Sequence, residues 1–179
     1  MIRRFLIAAT LAMLIAGCAR REAPPPRPER PVPPAVVAPE PELAGPRAYV
    51  TVTSSIDRMM IRGSELAQAR ARSARLRGFA AQVAKDHLSI SAQLSFAGRR
   101  LNQLPTGRLL DNHAERLAAL ERSADFDSAY RREMARSLSA ALEYHNRYAA
   151  QGESPTLRPV ARFAAQLIAK NLEALRSLR

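Results

Sequence analysis

Cysteine occurs once in this 179-residue sequence, tryptophan is absent, and aromatic residues make up only 5% of it. A single thiol excludes an internal disulfide, so the fold is not a disulfide scaffold. Lysine is also scarce, because every basic residue except Lys85 and Lys170 is an arginine. No serine lies in a Gly-x-Ser-x-Gly turn and no glycine-rich loop follows a strand pattern. The common hydrolase and phosphate-binding motifs are therefore missing, and no catalytic residue is predicted.

Alanine, leucine and arginine are abundant, and this composition favours helices over sheets. The sequence holds 28 Lys+Arg against 16 Asp+Glu, which gives a formal charge of +12. An excess of this size favours binding to anionic surfaces. A bland interpretation stays open, in which the arginines simply cover solvated helix faces.

The first 17 residues form a pattern typical of an export signal. Arg3 and Arg4 precede an apolar stretch, residues 5–16, that is too short to span a bilayer. The run Leu14-Ile15-Ala16-Gly17-Cys18 resembles the lipobox of bacterial lipoproteins. That resemblance implies a signal peptide at 1–17 and lipidation of Cys18, and two or more acyl chains give stable anchoring. The alternatives are a plain secreted protein with a stray cysteine, or a weak membrane helix.

A proline-rich segment, residues 18–46, follows the candidate lipidation site. Ten of the 13 prolines lie between positions 24 and 46, and no helix or central strand tolerates that density. The segment is predicted to be an extended spacer, with a recognition site for another protein as the alternative. Its four arginines and four glutamates balance, so the net charge of the mature chain lies in residues 47–179.

These features predict an exported lipoprotein that contacts the membrane through Cys18. In a host with two membranes, Ala19 after the cysteine favours the outer membrane, facing the periplasm, as in the sorting rule of such lipoproteins. Expected partners are anionic envelope polymers or another envelope protein. Nucleic acid is not expected outside the cytoplasm.

Beyond the prolines, apolar residues recur at spacings of three and four, which predicts helices. We expect long helices over 48–72, 73–103 and 125–151, a fourth from residue 154 onward, and a short one near 110–120. Ser73 and Asp125 are predicted N-caps, Gly152 follows a helix end, and Ser154-Pro155 is predicted to open the last helix. Pro159 would then lie one turn inside that helix and cost a backbone hydrogen bond, so the helix is expected either to begin loosely or to bend there.

Four amphipathic helices bury their apolar stripes against one another, so the predicted fold is an all-α four-helix bundle over residues 47–179. Short turns make two antiparallel hairpins. About 20 residues with a short helix separate them, which suits the long crossover of a ferritin-like bundle. A simple up-down bundle with the short helix across one end is the alternative.

Several runs also resemble a known family. They are Tyr49-Val50 before a helix, Glu65-Leu66-Ala67-Gln68, Leu76-Arg77-Gly78-Phe79-Ala80 with Asp86-His87, Leu110-Asp111 with His113, Phe126-Asp127-x-Ala129-Tyr130, and Ser154-Pro155-x-Leu157-x-Pro159. Together they resemble an uncharacterised bacterial family of exported ferritin-like domains, labelled domain of unknown function or putative outer-membrane protein. The resemblance covers about residues 47–178 and implies an envelope-attached bundle without an established activity.

The resemblance also implies a histidine-based metal site, with His87, His113 and His145 as candidates here. The chain departs from that pattern at several positions, because Ser137-Leu138 and Asn171 replace polar family residues and Met60 and Arg62 replace acidic ones. No Glu-x-x-His pair, the usual di-iron motif, occurs in the sequence. We therefore expect no metal or other cofactor.

His87 falls on an apolar stripe and is expected to be a core residue that hydrogen-bonds Asn171 or Tyr148. Four arginines in two pairs are candidate anion-binding residues on solvent-facing positions: Arg99, Arg100, Arg131 and Arg132. The sequence thus predicts a non-enzymatic interaction or structural module in the cell envelope. The alternative is a metal-binding or oxidoreductase-like ferritin relative that uses His87 and His113.

Overall fold

The structure, a computed structural model, describes residues 45–178. The predicted signal peptide, Cys18 and nearly all of the proline-rich segment lie outside the described residues. The described part is all-α, as predicted, with five helices and no strand: α1 (Pro46–Arg70), α2 (Ala74–Arg100), α3 (Asp111–Glu121), α4 (Phe126–Gln151) and α5 (Arg158–Ser177). Within it, we find no helix with the length and apolar character that crossing a membrane requires.

The predicted N-caps of two helices are confirmed. The Ser73 side chain accepts a hydrogen bond from the Leu76 amide at the start of α2, and Asp125 accepts one from Ser128 at the start of α4. Each cap satisfies an amide that lacks a partner within its own helix.

α2 ends three residues earlier than predicted, at Arg100. Asn102 adopts a left-handed φ of 53°, which asparagine tolerates better than most residues. The Gln103 amide then donates to the Gly98 carbonyl at 2.9 Å. The chain folds back over the end of α2 at this point, so the helix cannot continue.

The prediction that Ser154-Pro155 opens the last helix is wrong. A turn forms there instead, in which the amides of Leu157 and Arg158 donate to the Ser154 carbonyl, and α5 begins at Arg158. Pro159 therefore lies in the first turn of α5, where a missing amide hydrogen costs no helical bond. The predicted bend at Pro159 has no physical cause in this arrangement.

Two close helix pairs build the fold, α1 with α2 and α4 with α5, while α2 also packs on α5 and α1 on α4. The short helix α3 runs beside α1 in the same direction. His113 at its start bonds Ser55, and the Glu121 carbonyl at its end accepts from Arg70. The connection from α2 to α4 thus travels along α1.

The core contains two apolar clusters. The larger one fills the middle of the domain and the end at which α1 finishes and α2 begins. The smaller one, at the opposite end, contains Tyr49 and Val50 of α1 with Leu94, Tyr148 and Leu157. The stripes predicted for the first three long helices are largely buried. On α5 the apolar spacing of the sequence predicts that Leu167 faces the core, and this is wrong, because Ile168 is fully buried while Leu167 is only partly buried.

Candidate functional site

A buried hydrogen-bonded pair, a histidine and a carboxyl group, joins the first two helices. Nδ1 of His87 on α2 donates to Oδ1 of Asp57 on α1 at 2.8 Å, and the side chains are 0% and 1% exposed. Ser91, one turn after His87, donates its hydroxyl to Oδ2 of the same carboxylate at 2.8 Å. The expected partners of His87, Asn171 or Tyr148, are wrong, because its ring nitrogen engages a carboxylate on the facing helix.

Burial has the largest effect on the pKa of the Asp57 carboxyl group. Desolvation raises the pKa of the Asp57 carboxyl, while the hydrogen bond and charge of His87 and the bond from Ser91 act in the opposite direction. A carboxylate in an apolar interior is stable only when its acceptors are filled. Each carboxylate oxygen of Asp57 accepts a hydrogen bond here, one from His87 and one from Ser91.

A second buried histidine lies on α4. Nδ1 of His145 pairs with the hydroxyl of Tyr49 at 3.0 Å, and the Tyr49 ring stacks on Tyr148 at 3.8 Å and on Tyr144 at 5.7 Å between centroids. Burial lowers the pKa of His145 to about 3, and the neighbouring His87 acts in the same direction. His145 is therefore a neutral imidazole near neutral pH.

We refer to Tyr49, Asp57, His87, Ser91 and His145 as the histidine cluster. Nε2 of His87 and Nε2 of His145 are both buried and lack a hydrogen-bond partner among residues 45–178. In both rings the opposite nitrogen is held, by Asp57 in one case and by Tyr49 in the other. Buried polar atoms of this kind normally find a partner, so each unsatisfied Nε2 calls for an explanation.

His113 has a separate, structural environment. Ser55 accepts a hydrogen bond from the Leu110 amide at 2.8 Å and donates to Nδ1 of His113 at 2.7 Å. This chain of bonds fixes the start of α3 against α1. Burial, with Arg116 adding to it, lowers the pKa of His113.

The histidines do not form a complete metal site from side chains alone. Within residues 45–178, no three histidine, cysteine, aspartate or glutamate side chains come together in a way that suits a metal ion. The three candidates are instead bonded to three different residues: His87 to Asp57, His113 to Ser55, and His145 to Tyr49. The two buried Nε2 atoms of His87 and His145 are the histidine nitrogens of the cluster that are open to a ligand.

One groove connects the histidine cluster to the surface. It has a volume of about 470 Å³, lies between α1, α2 and the loop after α2, and includes Ser91 in its wall. Arg58 and Arg62 line it on α1, and Leu88, which is 57% exposed, lines it on α2. Ser91 therefore touches both this groove and the buried Asp57.

The four candidate anion-binding arginines lie in two separate places. Arg99 and Arg100 are exposed at the end of α2, close to the smaller apolar cluster. Arg131 and Arg132 lie near the start of α4, beside the larger cluster, and Arg131 donates to the Leu178 carbonyl at 2.7 Å. The structure therefore does not bring the two pairs into one site.

Basic residues far outnumber their acidic partners on the described surface. Residues 45–178 hold 21 of the 28 basic and 12 of the 16 acidic residues of the chain. Arg116, Arg136 and Arg147 form ion pairs with carboxylates in this part of the chain. Most of the positive charge is consequently available to solvent or to a partner.

Sequence reasoning did not find Asp57, although a signal was present. Asp57 stands four residues after Thr53 and three before Met60, and both are buried, so it shares their face of α1. An acid on a buried face requires a partner, and His87 is the histidine on the matching stripe of α2. Tyr49, Ser55 and Ser91 carry no comparable signal, because such residues are common on any helix.

All five helices and the whole histidine cluster lie within the range of one protein-family model. A family model described as "Domain of unknown function (DUF4142)" matches residues 32–178. The chain belongs to the DUF4142 family. The predicted membership of an uncharacterised domain family is thereby confirmed. No curated protein and no solved structure matches this DUF4142 chain.

Proposed function

We propose that this DUF4142 protein is a lipid-anchored, envelope-facing helical-bundle protein with a non-enzymatic role, in which the domain binds an anionic partner. The observation that carries the proposal is the charge of the domain, where basic residues exceed acidic ones and three arginines form ion pairs with carboxylates among residues 45–178. Unpaired cations on one domain raise the local concentration of anions.

The anchor is supported by the sequence before the domain. Cys18 ends a lipobox-like run, and the prolines after it provide a spacer of about 3.1 Å per residue. We propose that the mature chain begins at Cys18, holds the membrane through acyl groups, and faces the periplasm from the outer membrane where the host has two membranes. The domain would then meet acidic lipid headgroups or acidic envelope polymers.

We also propose that the fold is a ferritin-like four-helix bundle. The support is the path of the chain: α3 runs beside α1 from Ser55 to Arg70 and so carries the connection between the hairpins along the helices. A connection of this kind makes the second and third long helices parallel, which is the feature that separates this topology from an up-down bundle.

Fractionation of cells tests the anchor. We expect the wild-type protein in the membrane fraction, extracted only by detergent, and the Cys18→Ser variant either uncleaved or in the soluble fraction. Ala19→Ser is the matched control and should remain lipidated. A Cys18→Ser protein that is still processed at the same bond and needs detergent for extraction would refute the lipoprotein assignment.

Vesicle binding tests the anionic partner. The Cys18→Ser chain without residues 1–17 is mixed with vesicles of phosphatidylcholine, with and without phosphatidylglycerol, at two salt concentrations. We expect binding only to the anionic vesicles and weaker binding at the higher salt concentration. Arg99→Glu with Arg100→Glu is compared with Arg131→Glu with Arg132→Glu, because the two pairs lie apart and the more damaging change identifies the binding face. Equal binding to neutral vesicles would contradict the proposal.

A metal-binding role is the second candidate, and one observation favours it. His87 and His145 both present a buried Nε2 while Asp57 and Tyr49 hold their Nδ1 atoms. Metal-bound histidines commonly have their other nitrogen fixed in this way. A late transition metal with a preference for imidazole would suit the pair, with the remaining ligands supplied from outside the described side chains.

Metal analysis separates the two candidates. For the metal-binding role, purified protein retains stoichiometric zinc, copper or iron after dialysis, and added metal raises its melting temperature. His87→Gln or His145→Gln should abolish that rise, while His113→Gln, on the separate Ser55 bond, should preserve it. No retained metal and no metal-dependent change in melting would exclude this role.

A further inference from the structure

A second groove, of about 550 Å³, lies between α2 and α5 and has an aromatic and proline-rich lining. Phe96 on α2 and Phe163, Pro155 and Pro159 around the start of α5 form its apolar walls, and Arg100 is the charged residue among them. Phe96, one of five phenylalanines in the chain, is 60% exposed, although phenylalanine side chains are usually buried. An exposed aromatic patch with a polar rim commonly marks a binding site.

We propose that this groove binds the chain's own segment 37–44, which reads Val-Ala-Pro-Glu-Pro-Glu-Leu-Ala and immediately precedes Gly45. The segment lies against the groove as a polyproline II strand, with Pro39 and Pro41 on the two phenylalanines. This inference does not depend on the lipid anchor, and it shares one residue, Arg100, with the anionic partner proposed above.

The segment begins at the correct end of the domain. Tyr49 and Val50, in the first turns of α1, belong to the same apolar cluster as Ala97 and Val160. Those two residues also line the groove. Tyr49 is about 6 Å along the helix axis from Gly45, and eight extended residues reach about 25 Å, so the segment is long enough to span the groove.

The last described residue before α1 already has the required backbone. Gly45 has φ −71° and ψ 147°, which is the polyproline II conformation. Pro46 follows it, and Pro39 and Pro41 precede it at short spacing. Because prolines hold φ near this value, Pro39 and Pro41 reduce the conformational entropy that docking of the segment would cost.

The chemistry of the two surfaces is complementary. Proline-rich strands bind to grooves lined by aromatic side chains, which pack against the proline rings. Glu40 and Glu42 flank Pro41 and supply negative charge opposite Arg100. The contact is intramolecular, so a weak interaction suffices, because a short linker gives an effective concentration in the millimolar range.

The family boundary supports this assignment. The DUF4142 match starts at residue 32, although the first helix starts at Pro46. The family unit therefore includes the segment. Docking would also shorten the spacer between the domain and the membrane, because residues 37–44 would no longer contribute to its length.

Photo-cross-linking in the full chain, purified in detergent, tests the proposal. Phe96 is replaced by benzoylphenylalanine, the protein is irradiated, and mass spectrometry locates the cross-linked peptide. We expect the main product to join position 96 to residues 37–44 of the same chain. The same probe at Leu88, which is exposed on α2 but lines the other groove, should not reach that segment.

Variants of the segment and of the groove complete the test. Pro39→Gly with Pro41→Gly should lower the cross-linking yield at least fivefold, while Pro24→Gly with Pro25→Gly should leave it unchanged within twofold. Arg100→Glu should lower the yield, and adding Glu40→Arg with Glu42→Arg should restore it. Cross-links only between two chains, only to detergent or lipid, or with a yield insensitive to the Pro39 and Pro41 changes would overturn the proposal.

Discussion

Nδ1 of His87 lies 2.8 Å from Oδ1 of Asp57, and neither side chain is more than 1% exposed. Removing one member of a pair at this depth is costly, because the other member is left without water and, in the case of Asp57, with only the Ser91 hydrogen bond. The pair thus ties α1 to α2 and gives two single substitutions that should depend strongly on each other.

We predict that His87→Leu lowers the free energy of unfolding by about 3–5 kcal/mol, because it leaves the Asp57 carboxylate buried with only Ser91 as a donor. The double variant Asp57→Leu with His87→Leu should cost clearly less than the sum of the two single changes. Asp86→Asn, next in sequence to His87 and bonded to Gln82, is the control and should have a small effect. Urea denaturation measures all four, and strict additivity would contradict the buried pair.

The class of fold and several helix ends were predictable because each depends on local chemistry. Ser73 and Asp125 cap helices through their own side chains, so their signal is contained in a few residues. The partner of His87 depends instead on how two helices face each other. The sequence placed His87 in the core correctly but gave no means of choosing Asp57 over Asn171.

The orientation of α5 was not predictable for a related reason. Both Leu167 and Ile168 fit an apolar stripe, since the helix is rich in alanine and its hydrophobic face is wide. In the structure, Ala161, Ala164 and Ile168 are fully buried, so the small side chains face the core. Close packing of α5 on its neighbours decides this, and packing is not local in sequence.

This difference in burial predicts unequal losses of stability for two adjacent substitutions. Ile168→Asp places a carboxylate in the core and should cost several kcal/mol or prevent folding. Leu167→Asp, at a partly buried position, should cost substantially less because its carboxylate reaches water. Thermal unfolding followed by circular dichroism measures both. A larger loss of stability for Leu167→Asp than for Ile168→Asp would mean that α5 is rotated so that Leu167 faces the core.

Two glycines of α2 give a second matched comparison. A Cβ atom at Gly98 would lie far inside van der Waals distance of the Gln103 carbonyl oxygen, whereas one at Gly78 meets nothing within 4 Å. Gly98→Ala should therefore destabilise by about 1–3 kcal/mol, since backbone must move. Gly78→Ala should stabilise by about 0.5–1 kcal/mol, because alanine is the better helix former. Urea midpoints test both, and a neutral Gly98→Ala would contradict the folded-back turn at the end of α2.

The final prediction concerns pH. Burial lowers the pKa of His145 to about 3 from an ordinary value of 6.5, so the folded protein resists a proton that the unfolded chain accepts. The stability linked to this group is fully present above pH 6.5 and is lost progressively as pH falls toward 3. Between pH 6.5 and 5 this should amount to about 1–2 kcal/mol, at 1.36 kcal/mol per pKa unit.

His145→Gln should flatten that part of the stability profile, measured by urea denaturation at a series of pH values. His113 is the control, because burial also lowers its pKa and its contribution has the same sign. His113 is 7% exposed and His145 0%, so His113→Gln should remove less of the dependence of stability on pH. If His145→Gln leaves the pH profile unchanged, the prediction is wrong. The His145 imidazole would then accept a proton in the folded protein, and the Tyr49 hydroxyl would accept a hydrogen bond from its Nδ1–H.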